Sequence, residues 1–147
     1  MKDNKNTKKN KCNVCETEID SNAIVCPVCG WVQQTDFDDT DKITWSNNFV
    51  SLNKAKALYK AGKPIKPDFD DLIQCLQVYS ELQFFYNRRK YGIIRHHQGK
   101  IDFYEWDNMN KGYQSYNTLN DFKTYANIDG KLLSKIWQNI ENFGIAD

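Results

Sequence analysis

Across residues 51–64, apolar side chains fall at Leu52, Ala55, Leu58 and Tyr59, one face of a helix. Ser51 is placed to cap its start, Gly62 lies past its end and Pro64 beyond that. A run of similar period follows from about residue 68 to 90. Leu72, Leu76, Tyr79, Leu82 and Tyr86 recur at spacings of three and four, which predicts a second, longer helix. Asp70 and Asp71 suit its first turn, and Arg88, Arg89 and Lys90 suit its last. The pattern then changes. Residues 91–106 read YGIIRHHQGKIDFYEW, β-branched and aromatic around Gly99, which predicts a β-hairpin. A short strand is expected at 112–116, followed by a short helix capped by Thr118 with Asp121 three residues on. A last helix is expected after Asp129, with Leu133, Ile136, Trp137 and Ile140 as its apolar stripe and Phe143 closing it.

Charge divides the chain differently. Residues 1–11 carry five Lys, one Asp and no apolar side chain beyond Met1, so burial cannot offset their ordering entropy and a disordered basic tail is expected. Residues 12–41 hold seven acids and no cation, and 33–41 read as an acidic linker. Residues 42–100 are net +7 and 101–147 net −3, although the whole is only +1. With 147 residues, 40% hydrophobic and 14% aromatic, a single core of roughly 100 residues is feasible, and an α+β domain over 42–147, helical with a small antiparallel β-sheet, is the expected architecture. No stretch approaches the roughly 18 apolar residues of a membrane helix, and residues 1–10 lack the apolar run of a signal peptide, so a cytoplasmic protein without a membrane partner is expected. Lys outnumbers Arg 17 to 3 and Asn occurs 16 times, usage that fits a low-GC bacterium or its phage.

Five cysteines in a reducing compartment are a poor disulfide framework, and four of them form two CxxC pairs. Cys12 and Cys15 are separated by ten residues from Cys26 and Cys29. Two tight turns, each offering two thiolates, can close around one tetrahedral metal with metal–sulfur distances of about 2.3 Å. Zinc is favoured over iron by prevalence. Four thiolates leave no position for an activated water, so one structural Zn²⁺ per chain is expected. Gly30 is expected to allow close approach of backbone to sulfur. The fifth, Cys75, sits beside the apolar stripe of the long helix and reads as a small buried residue.

The segment CNVCETEIDSNAIVCPVCGW resembles the small bacterial zinc-ribbon domain, whose pattern is CxxCG, a Glu and an aliphatic residue, an Asn-Ala pair, then CPxCG. Glu18, Ile19, Asn22, Ala23 and Val25 stand at the matching places. Glu16 departs from it, standing where the family usually has Gly, which implies a looser first knuckle or fewer N–H contacts to sulfur. The resemblance covers residues 12–31 and implies a zinc ribbon at 12–32, an accessory module without activity of its own. Trp31 and Val32 either anchor a partner or pack on the ribbon itself.

Phosphate contact needs Lys or Arg, and residues 12–41 have neither, so the ribbon is expected to meet a basic patch on a protein partner, or the basic second half of this same chain, rather than nucleic acid. A separate basic aromatic segment at 84–100 places Arg88, Arg89, Lys90, Arg95 and Lys100 among Phe84, Phe85, Tyr86 and Tyr91. Such interleaving can grip phosphates and stack bases, or contact an acidic protein; the plainer alternative is core aromatics with cations at a helix end and on a solvated strand. His96 and His97 read as a solvated turn, Asp102 or Glu105 being the partner a general base would need. Both histidines follow the cysteines, against the order of a zinc deaminase, and there is no Gly-rich phosphate loop or GxSxG. The expected function is a non-catalytic binding or regulatory protein docking on a macromolecular protein partner. The alternatives are a nucleic-acid binder using segment 84–100, and a phage or mobile-element inhibitor of a host nuclease or defence complex.

Overall fold

In the computed structural model, which describes residues 8–33, 40–43, 48–108, 110 and 113–145, the Ser51 hydroxyl accepts from the Lys54 N–H at 3.1 Å and opens helix α1 (Leu52–Lys60). Gly62, at φ 73°, terminates it as expected, the Lys63 N–H donating to the Leu58 carbonyl at 2.9 Å. Residues 1–7 of the expected tail, 34–39 of the expected linker and Gly112 lie outside the described residues. The chain divides into two units, Met1–Pro67 and Asp68–Asp147.

In the first unit, strands β1 (Lys9–Lys11) and β2 (Glu18–Asp20) pair antiparallel with Lys9 opposite Asp20, and Cys12–Cys15 form the turn between them. A second turn, Cys26–Cys29, is closed by a bridge between Val25 and Val32. Trp31, Val14 and Ile19 pack with Val50, Leu52 and Ala55 into one core. Helix α1 thus shares its hydrophobic contacts with the two cysteine turns. The boundary expected from charge, between Asp41 and Lys42, differs from the one between the compact units, because apolar burial and not charge sets which segments cohere.

The second unit opens with helix α2 (Phe69–Val78), held by a reciprocal capping box in which Asp68 and Asp71 each accept the other's backbone N–H at 2.9 Å. The helix stops at Val78, twelve residues short of the expectation, and Tyr79 is already extended. Strands β3 (Glu81–Tyr86), β4 (Arg89–Arg95), β5 (Ile101–Glu105) and β6 (Gln114–Tyr116) follow as an antiparallel meander. The expected hairpin across Gly99 and the short strand before Thr118 are both present. Helix α3 (Leu119–Tyr125) starts as expected, the Asp121 N–H bonding to Thr118 Oγ1 at 3.0 Å. A two-residue hairpin, β7 (Asn127–Ile128) with β8 (Lys131–Leu132), leads to α4 (Leu133–Ile136) and a 3₁₀ turn, Trp137–Asn139. Strand β9 (Glu141–Ile145) then joins the sheet beside β3, giving the order β6-β5-β4-β3-β9. Phe143, expected to close a helix, is in this strand.

The protein is α+β, the described residues holding four helices and antiparallel sheets. The expectation of a helical domain with a small sheet is corrected: five strands organise the second unit and short helices cover one face. That face carries Leu82 and Phe84, Tyr91 and Ile93, and Ile101 and Phe103, paired in register across three strands. Phe84 stacks on Tyr91 at 5.5 Å and meets Trp137 edge-on at 5.3 Å, while Phe122 of α3 meets Phe103 at 5.9 Å. On the opposite face, the ring of Tyr104 fills the space a Cβ at Gly92 would need, approaching to 2.5 Å.

Candidate metal centre

The two cysteine turns are built alike. The N–H of Val14 points at Cys12 Sγ and that of Val28 at Cys26 Sγ, each at 3.4 Å. The N–H of Glu16 donates to the Cys12 carbonyl at 3.0 Å, and that of Gly30 to the Cys26 carbonyl at 2.9 Å. Both donors have left-handed backbone, φ 62° for Glu16 and 80° for Gly30. With Glu16 in that place the N–H contact to the first cysteine's sulfur is still made. Gly30 is needed for its positive φ and not for close approach, since a Cβ there would meet nothing within 4 Å.

The turns bring all four sulfurs within 4.8 Å of one another, with Cys12 Sγ 3.5 Å from Cys29 Sγ and Cys15 Sγ 3.7 Å from Cys26 Sγ. A tetrahedron with metal–sulfur bonds of about 2.3 Å has sulfur–sulfur edges of about 3.8 Å, so the cluster has the dimensions of a four-thiolate metal site. Gln33 adds an outer contact, its Nε2 donating to Cys12 Sγ at 3.4 Å and to the Trp31 carbonyl at 3.1 Å. Burial raises the Cys12 thiol, but the N–H groups of Cys15 and Val14 and the Gln33 amide outweigh it and bring the pKa down to about 6. Burial pushes Cys29 up to about 12, its three cysteine neighbours adding to the rise against the Trp31 N–H. The four cysteines can hold a metal ion.

Asn48 buttresses the second turn, its side-chain amide pairing with both the N–H and the carbonyl of Val32 at 2.8 and 3.0 Å. Nothing in the spacing singles this residue out. Trp31 is 2% exposed and packs into the core with Val14 and Ile19, whereas Ile24, Val25 and Val28 are 73%, 50% and 55% exposed. Of these, Val25 was singled out only as part of the zinc-ribbon pattern and Ile24 and Val28 not at all; three aliphatic residues within five positions were the available signal.

The basic aromatic run does not form one surface. Arg88 lies in the β3–β4 turn, exposed, and Lys100 is exposed beyond the other end of β4, a strand of seven residues or about 20 Å. Between them Arg89 is paired with Glu105 at 2.7 Å and Asp129 at 2.9 Å, and Lys90 Nζ lies 4.0 Å from the centre of the Trp106 ring. Arg95 donates to the Leu76 carbonyl. Of the aromatics, Phe84 and Tyr91 are core. His96 Nε2 is 2.7 Å from Asp102 Oδ2, and Ser115 donates to Asp102 Oδ1 at 2.6 Å. Desolvation works against the Asp102 carboxylate, but these bonds and that of Tyr113 hold its pKa below the usual value. Cys75 is fully buried, and that burial, with Asp71 nearby, pushes its thiol up to about 12, an unreactive state.

No helix among the described residues is long and apolar enough to cross a membrane. No family model, curated protein or solved structure matches the chain, so the resemblance to the zinc ribbon rests on the motif and on the four-sulfur geometry.

Proposed function

We propose that this chain is a non-catalytic binding or regulatory protein whose N-terminal unit is a zinc ribbon that docks on a protein partner. The observation that carries the reading is the exposure of three aliphatic side chains, Ile24 and Val25 just before the second cysteine turn and Val28 within it, in a segment with no cation of its own. Zn²⁺ on Cys12, Cys15, Cys26 and Cys29 holds that turn in place and, with its coordination sphere closed by thiolates, takes no part in catalysis. Chain entropy explains the need for metal: a module this small has too little apolar area to order itself.

Affinity capture from a low-GC bacterial lysate, with and without nuclease, tests the proposal. The expected result is a nuclease-resistant protein partner that is lost in the variant Ile24→Asp/Val28→Asp, whose substitutions lie on the surface and leave the metal site intact. Undiminished capture by that variant would overturn the ribbon patch as the contact. A partner set that disappears with nuclease would transfer the function to nucleic-acid binding, with Arg88 and Lys100 as the first residues to reverse in charge.

A further inference from the structure

Folding changes the charge that surrounds the first cysteine turn. Residues 12–41 carry no cation, but a depression beside Cys12 and Cys15 is also bounded by α1 and by the end of β1, and these elements bring Lys56, Lys60 and Lys11 to it. The depression has a volume of about 670 Å³. Val14 of the turn shares one core with Leu52 and Ala55 of α1, so the backbone positions of the lysines are fixed relative to the turn.

These cations lack a counter-ion. Among the described residues none of the three forms an ion pair, and Glu16 is the one acid lining the depression. Helix α1 contains no acidic residue, so Lys56 and Lys60, four apart on one face, repel each other without the opposite charge that offsets such a pair on a solvated helix. The nearby thiolate is already compensated: Cys12 is buried, and its sulfur accepts from the Val14 N–H and the Gln33 amide. An aromatic ring sits among the lysines. Tyr59 lines the same depression, and although its spacing placed it with the apolar residues of α1, it is 41% exposed.

Unpaired cations around an exposed ring in a concave surface fit a chain of phosphates that carries flat bases: the ammonium groups meet the backbone and a base stacks on the tyrosine. An acidic peptide is the poorer match. Planar carboxylates are recognised best by the two-pronged fork of arginine, which Met1–Pro67 does not contain, whereas lysine acts on phosphate as a point charge.

We propose that this depression binds single-stranded nucleic acid, with Lys11, Lys56 and Lys60 on phosphates and Tyr59 against a base. Ile24 and Val28 are not among its lining residues, so the site does not depend on the protein contact proposed for them. It is tested by fluorescence anisotropy of the zinc-loaded full chain with a short labelled oligothymidylate, with salt varied and with poly-glutamate as a competitor. Saturable binding that weakens with salt is expected. Lys56→Glu/Lys60→Glu is expected to weaken it about tenfold or more and to make the plot of log affinity against log salt shallower by roughly 1.4, two phosphate contacts being lost, while bound zinc is unchanged. Should charge reversal disturb the metal, Lys56→Gln/Lys60→Gln carries the same expectation in milder form. Tyr59→Ala is expected to weaken binding several-fold with the salt slope unchanged, because stacking releases no counter-ions. Absence of saturable binding, full affinity in the lysine pairs or in Tyr59→Ala, or loss of binding on Arg88→Glu instead would overturn the proposal. So would loss of zinc in the glutamine pair, which would assign the lysines to balancing the thiolates, and so would equal displacement by poly-glutamate and unlabelled oligothymidylate, which would make the surface one for an acidic protein.

Discussion

Glu16 and Gly30 occupy equivalent places in the two cysteine turns: each follows the second cysteine of its pair, and each is held at positive φ by an N–H bond to the first cysteine's carbonyl. An L-residue with a Cβ pays about 1 kcal/mol or more for that backbone, and glycine does not. Glu16→Gly is therefore expected to stabilise the metal-loaded N-terminal unit by about 1 kcal/mol, read as a higher thermal midpoint; an unchanged or lower midpoint would show that the Glu16 side chain makes a compensating interaction. Glu16 was legible in the sequence as a departure from the zinc-ribbon pattern, but its consequence was not. Val14 and Val28 make the same N–H contact to the first sulfur of each turn, so the departure bears on backbone strain and not on that contact.

At the level of elements, the replacement of a long helix by a helix and a hairpin has a specific cause. Leu82 and Tyr86 are four residues apart, a spacing that a helix and a strand both place on one face. Phe84 breaks the tie: it lies on the same face as Leu82, buried and opposite Tyr91, as a period of two requires. The turn that follows, Asn87–Arg88, has φ of 50° and 66°, the two-residue geometry that matches strand twist and that normally recruits glycine at its second position. Replacing Arg88 by glycine is expected to stabilise the second unit by about 1 kcal/mol, measured as a higher urea midpoint. A lower midpoint would mean that the arginine side chain contributes more than its backbone costs. Capping, in contrast, was readable: Ser51 and Thr118 open helices where their positions ahead of apolar faces placed them.

On the scale of the whole molecule, charge and burial partition the chain differently. Met1–Pro67 contains eleven Lys against eight acids, and Asp68–Asp147 nine cations against eleven acids, so the acidic window around the cysteine turns and the lysines of α1 belong to one unit. Lys11, Lys56 and Lys60 line a depression beside Cys12 and Cys15. The metal should hold that unit together, because Cys12 and Cys26 are part of its core. Structural zinc contributes on the order of 10–16 kcal/mol of apparent free energy in small peptides. Chelation is expected to abolish hydrogen-exchange protection in the first unit and to leave the amides of β3, β4 and β5 protected; loss of protection throughout would show that the units fold as one. Binding must also displace protons, above all from Cys29, whose free thiol is held up near 12, so metal affinity is expected to rise with pH and acid to speed its loss. The sequence by itself determined the four-cysteine cluster, because two CxxC turns are local structures whose chemistry depends on residues a few positions apart. It also determined the helix caps and the hairpin across Gly99, for the same reason. Only the tertiary structure decided that α1 packs with the two cysteine turns, that β9 returns to pair beside β3, and that Tyr91, Glu105 and Asp129 converge. Those outcomes depend on which apolar faces cover each other across long separations, and no spacing along the chain encodes that choice.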